Sequence, residues 1–226
     1  MAVIFFTTSG AAAGPLPIMP DDRFAAARLT LEYERPWPGL GIRAGSVSGG
    51  LSFPRGILFG ARFRDLEAPT VRQTALGGWA RIGRWVFVGA DRVEVRVDGI
   101  EPLRRIDLEL AGRLVRGPLA VGWAATAEDV ASDGRAVWRH WWVTLRRGGL
   151  EFSASRRVIP WRVAPDWGLG IRFVLTGSVD AALGWREREA RVALSFPLPS
   201  SRITAETVWS GARAGAFTFR LETGLP

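Results

Sequence analysis

GLGIRFVLTGSVDAALGWREREARVALSFPL, residues 168–198, decides how the chain is read. Leu169, Ile171, Phe173 and Leu175 take every second place, with Gly168, Gly170, Arg172 and Thr176 between them. Beyond Gly177 the beat returns as Val179, Ala181, Leu183 and Trp185 against Asp180, Ala182, Gly184 and Arg186. A charged tip (Arg186 to Glu189) leads into Val192, Leu194, Phe196 and Leu198 against Arg191, Ala193 and Ser195. Alternation of period two, cut by short turns, describes antiparallel strands with one apolar face. That face packs either on protein or on lipid, and the rest of the chain weighs the two.

The same beat runs outward in both directions. Leu29, Leu31 and Tyr33 oppose Thr30, Glu32 and Glu34; after Pro36-Trp37-Pro38-Gly39, a short strand with Leu40, Ile42 and Ala44 opposes Gly41, Arg43 and Gly45. Ile57, Phe59, Ala61 and Phe63 oppose Gly60, Arg62 and Arg64, whereas 71–83 alternates poorly. Trp85, Phe87, Val93, Val95 and Val97 set one face against Glu94 and Arg96; Ile106, Leu108 and Leu110 oppose Asp107 and Glu109. Leu119, Val121 and Trp123, then Val137, Trp141, Val143 and Leu145, then Leu150, Phe152 and Ala154 (opposite Glu151) continue it. Ile203 to Trp209 and Phe217, Phe219 and Leu221 close the series. No stretch keeps a helical period, and the count is about twelve to fourteen strands. The expected organisation is an irregular lead over 1–26, rich in Pro and Ala and readable as a signal remnant, then one β domain over 27–226.

Composition narrows the classes. The 226 residues are 47% apolar, without cysteine, so disulfide frameworks and thiolate metal sites are excluded. No apolar run reaches the roughly 18 residues of a membrane helix. The +8 charge is entirely arginine. Its arginines are scattered among Asp and Glu, and nucleic acid is not an expected partner.

Three features point the apolar face at lipid. Successive hairpins form a meander, which avoids free edges only by closing on itself. A closed ring of so many strands is too wide to fill with side chains, so its inside is wet and its outside apolar. The face opposite the apolar one mixes charges of both signs with glycine, unlike the exterior of a soluble sheet. Turns near Gly117, Gly148, Gly177 and Pro199 are short, while those at 126–135, 157–167 and 186–190 are longer or strongly charged. Trp37, Trp185, Trp209 and Phe217 then fall at one end of their strands and Trp79 and Trp85 at the other, as two membrane-interface girdles would.

In these respects residues 27–222 resemble the bacterial outer-membrane β-barrels as a class, by architecture and not by a signature motif. The resemblance implies an all-β, closed, antiparallel up-and-down transmembrane barrel acting as a passive channel or a structural membrane protein. The chain departs from the class in closing on Thr223-Gly224-Leu225-Pro226 instead of an aromatic residue. The lumen is expected to be lined by Glu32, Arg43, Arg62, Glu94, Arg96, Asp107, Glu109, Glu151, Arg172, Asp180, Glu206 and Arg220, without strong ion selectivity. The basic excess is then assigned to loops and turns, where it meets anionic lipid head groups. Expected partners are the bilayer and small solutes; no cofactor and no metal is expected.

A catalytic reading has little to rest on. His140, the one histidine, shares a face with Trp138, Trp142 and Thr144. Barrel enzymes that cleave lipids pair a histidine with a serine two positions on, and Trp142 occupies that place. A lipid hydrolase would rest on His140 alone. The rival reading from another class is a soluble β-sandwich or barrel with its apolar faces turned inward to hold an apolar ligand or partner.

Overall fold

A computed structural model describes residues 29–223, apart from 38–40, 54–55, 84, 130–135, 161, 177–178, 187–188 and 211–212. The lead expected over 1–26 lies outside the described residues. The strands are β1 (Leu29–Trp37), β2 (Ile42–Phe53), β3 (Ile57–Ala68), β4 (Val71–Ile82), β5 (Val86–Val97), β6 (Leu103–Arg116) and β7 (Leu119–Glu128). They continue as β8 (Ala136–Arg147), β9 (Leu150–Val158), β10 (Asp166–Thr176), β11 (Val179–Arg186), β12 (Glu189–Leu198), β13 (Ser201–Ser210) and β14 (Arg213–Thr223). Each pairs antiparallel with its sequence neighbours, and β14 pairs with β1, giving a closed barrel of fourteen strands. Closure removes both edges that an open meander would leave unpaired.

The ends of the barrel differ. The end that holds Leu29 and Thr223 carries tight turns such as Gly117–Pro118 and Gly148–Gly149, where the glycines take positive φ. The opposite end, called the loop end below, carries the connections 98–102, 129–135 and 159–165.

Side chains alternate across the wall in the opposite sense to a soluble protein. Leu51, Leu169 and Trp185 are 71%, 65% and 64% exposed, whereas Gln73, Asp91 and Asp166 are 2% exposed. Leu114, Val121 and Val143 are successive register partners round the outside, and so are Leu145, Phe152, Ile171, Leu183 and Val192. A packed core with the apolar faces inward is therefore overturned, and the soluble reading with it. Leucine and phenylalanine exposed in a continuous band are tolerable only in hydrocarbon, where a closed barrel satisfies every backbone donor and acceptor within itself.

Three elements differ from the sequence reading. β2 runs on to Phe53 instead of stopping near Gly45, and Val47, Leu51 and Phe53 fix its outward phase. β4, which alternates poorly, is a full strand in unbroken register with β3 and β5. In β5 the phase is inverted: Phe87, Asp91 and Val93 are buried on the inside, while Val86 and Val88 are exposed outside.

Candidate functional site: the barrel interior

The interior is built from guanidiniums and carboxylates laid along the wall. Arg62, Gly77, Asp91 and Asp107 are successive register partners on β3 to β6. From β3, Arg62 gives its Nε to Asp91 Oδ1 at 2.7 Å and its Nη1 to Glu109 Oε2 at 2.8 Å, so its side chain passes two strands. It can lie flat because glycines floor its path. A Cβ on Gly89 would meet Arg62 Nη2 at 2.9 Å, and one on Gly77 would overlap the Asp91 carboxylate. Arg64 also bonds Asp91, so one buried carboxylate holds two guanidiniums.

The pattern repeats round the ring. Arg105 Nε lies 3.2 Å from Asp107 and its Nη1 3.8 Å from Glu128, and the Asp129 N–H donates to Asp107 at 3.1 Å. Arg146 pairs with Glu151. Arg157 and Arg162 reach Asp166 at 2.9 and 2.7 Å. Arg172 pairs with Asp180, and Arg191 reaches both Glu189 and Glu206 at 3.2 Å. Across the closing seam Arg220 Nη2 donates to Glu32 at 3.0 Å.

Aromatic rings line part of the same surface. Trp79 stacks on Phe87 with centroids 6.0 Å apart, and Phe87 packs with Ala111, Ala124 and Trp142. The Trp79 ring occupies the place where Gly60 would carry a Cβ, and Trp142 does the same over Gly122. His140 lies 5.3 Å from Trp142 between ring centroids, on the inward face.

Of the twelve residues assigned to the lumen, Glu32, Arg62, Asp107, Glu109, Glu151, Arg172, Asp180, Glu206 and Arg220 point inward. Arg43, Glu94 and Arg96 point outward, which corrects their assignment. Arg43 shares its face with exposed Val47 and pairs with Glu67, while Glu94 and Arg96 follow the inverted phase of β5. The basic excess is likewise not confined to loops and turns, because Arg72, Arg92, Arg104, Arg139 and Arg156 are exposed on outward strand positions. Among the aromatics, Trp185, Trp209 and Phe217 face outward and Trp85 is exposed at the β4–β5 turn. Trp79 is corrected to the interior, where its Nε1 donates to Ser48 Oγ at 3.2 Å. The side chain of Trp37 lies outside the described residues.

Sequence reasoning missed Asp91, Arg64, Arg105, Glu128, Arg157, Asp166 and Arg191 as interior partners. The signal for Arg105 was present, since it is in phase with Asp107 and Glu109. Glu128, Arg157 and Asp166 fall in segments read as loops that are strand ends. Among the described residues, no group of His, Asp and Glu is arranged to hold a metal ion.

Every interior ion pair described here joins strands at most three apart; none spans the ring. Fourteen strands about 4.8 Å apart and tilted about 40° make a backbone ring roughly 28 Å across. Side chains held along the wall do not fill that width.

No protein-family model matches this chain, and no curated protein matches it in sequence. Solved structures do match by shape. The KdgM porin, solved in complex with disordered oligogalacturonate, superposes with a TM-score of 0.50 at 7% identity, over 85% of this chain and 95% of that one. A triple mutant of the Rhodopseudomonas blastica porin superposes with a TM-score of 0.44 at 8% identity, over 86% and 97%. The fourteen-strand ring, lipid-facing outer rungs and charged interior are those of the bacterial outer-membrane β-barrel class. At such identities the likeness extends to the fold alone.

Proposed function

We propose that the protein is a passive channel for small polar solutes in a bacterial outer membrane. The observation that carries this reading is the course of the interior ion pairs: each follows the wall to a nearby strand, which leaves the middle of the ring to water. Carboxylates (Glu32, Glu34, Asp91, Asp107, Glu109, Glu128, Glu151, Asp166, Asp180, Glu189, Glu206, Glu222) and guanidiniums (Arg62, Arg64, Arg81, Arg105, Arg113, Arg146, Arg157, Arg172, Arg191, Arg202, Arg220) nearly balance along it. Such a lining sets up no strong field of one sign and discriminates weakly between cations and anions.

Outside, Trp185 and Trp209 near the loop end and Trp85 at the turn end would sit at the two head-group levels, with Phe217 just inside the first, and anchor the barrel in depth. Single-channel recording in planar bilayers tests the channel. Steps of reproducible conductance, with a reversal potential near zero in a salt gradient, are the expected result. A folded, inserted barrel without conductance would leave a structural role.

A further inference from the structure

Seven charged side chains of β2 to β6 leave the outward face near the loop end. Arg43, Glu67, Arg72 and Arg96 are successive register partners across β2 to β5. One rung nearer mid-strand come Asp65, Thr74, Glu94 and Arg104 on β3 to β6. The next rung runs Val47, Phe63, Leu76, Arg92 and Ile106, so apart from Arg92 the charges stand where the apolar band ends.

The acids brace the arginines instead of covering them. Asp65 meets Arg72 at 3.1 Å, and Glu94 alone holds both Arg96 and Arg104, at 2.6 and 3.2 Å through their Nε atoms. Side chains of Arg72, Arg96 and Arg104 remain 59%, 69% and 63% exposed, against 27% for Asp65 and 19% for Glu94. Arg72 and Arg96 are also direct cross-strand partners, and like charges in that position destabilise a sheet unless an anion lies between them. Further round the same end, the Arg156 guanidinium lies 5.7 Å from the ring centroids of both Trp141 and Trp167.

We propose that this collar binds the phosphate groups of an anionic membrane lipid in the leaflet at the loop end, one phosphate bridging Arg72 and Arg96. Planar guanidiniums already fixed on one edge by carboxylates present their remaining N–H groups to phosphate oxygens at little entropic cost. The inference rests on the membrane location proposed above and is independent of whether the barrel conducts.

The test is native mass spectrometry of the detergent-folded barrel with diphosphorylated lipid A, and with phosphatidylcholine as the uncharged reference. Lipid A is expected to be retained in preference. The triple variant Arg72→Gln, Arg96→Gln, Arg104→Gln, checked for folding by its gel mobility before and after heating, loses retention by a factor on the order of ten to a hundred. The pair Arg116→Gln, Arg147→Gln at the turn end retains it. Equal retention of both lipids, or an equal loss in the turn-end pair, would overturn the proposal. Full displacement of lipid A by millimolar inorganic phosphate would also overturn it, since the site would then hold a free anion. A barrel that retains lipid A without conducting would refute the channel and leave the collar standing.

Discussion

The wall from β3 to β6 and the wall from β11 to β13 are built on the same unbroken antiparallel register, yet their inner surfaces differ. In the first, Arg62 crosses a glycine floor to Glu109, Asp91 anchors two guanidiniums, and Trp79 and Phe87 stack beside them. In the second, Ala182 faces Ala193, and Ser195 shares a 3.0 Å hydrogen bond with Thr204. The pairing is the same in both walls; the side chains make the first a lattice of shared carboxylates and stacked rings, and the second a run of small side chains with the Arg191–Glu189–Glu206 pairs towards its loop end.

Four measurements would break or sharpen this contrast. The largest effect is expected for Asp91→Asn, which leaves both Arg62 and Arg64 short of a buried counter-charge and costs about 3 kcal/mol in urea unfolding of the membrane-inserted barrel. In a pair only 17% exposed on each side, where the carboxylate holds one guanidinium instead of two, Asp180→Asn should cost less, about 1–2 kcal/mol, and equal losses would mean the two walls are braced alike. Next, Gly60→Ala forces a methyl into the Trp79 ring and should cost about 1–3 kcal/mol, with a shift in tryptophan emission. Removing the ring itself, Trp79→Ala, should raise single-channel conductance, whereas Ser195→Ala should leave conductance unchanged and lower stability by about 1 kcal/mol. The smallest effect is expected outside the barrel: Asp65→Asn breaks an exposed pair and should shift stability by less than about 1 kcal/mol.

Residues 168–198 made the closed barrel legible because their outer face is apolar and their inner face is not. Phase was harder to read where both faces carry apolar side chains. In β5, Val86 and Val88 meet lipid while Phe87 and Val93 line the interior, and only Asp91 distinguishes the two. Reading Phe87 as lipid-facing carried Glu94 and Arg96 to the wrong side. Arg43 was misplaced for a related reason, since the lower half of β2, where Leu51 and Phe53 set the phase, was not read as strand. Position along the strand points Trp79 to the interface, whereas its place over Gly60 depends on a neighbour nineteen residues away in sequence. Pairings of that kind are written in the register, which a single strand's alternation does not contain.

The seam between β1 and β14 carries one last consequence. Glu32 and Arg220 meet across 188 positions of chain, so the ring cannot be sealed until synthesis has delivered nearly all of it. Before that moment the nascent protein holds two bare strand margins and a lipid-seeking surface in water, a combination that invites clumping. Its cell must keep it unfolded until a bilayer is within reach.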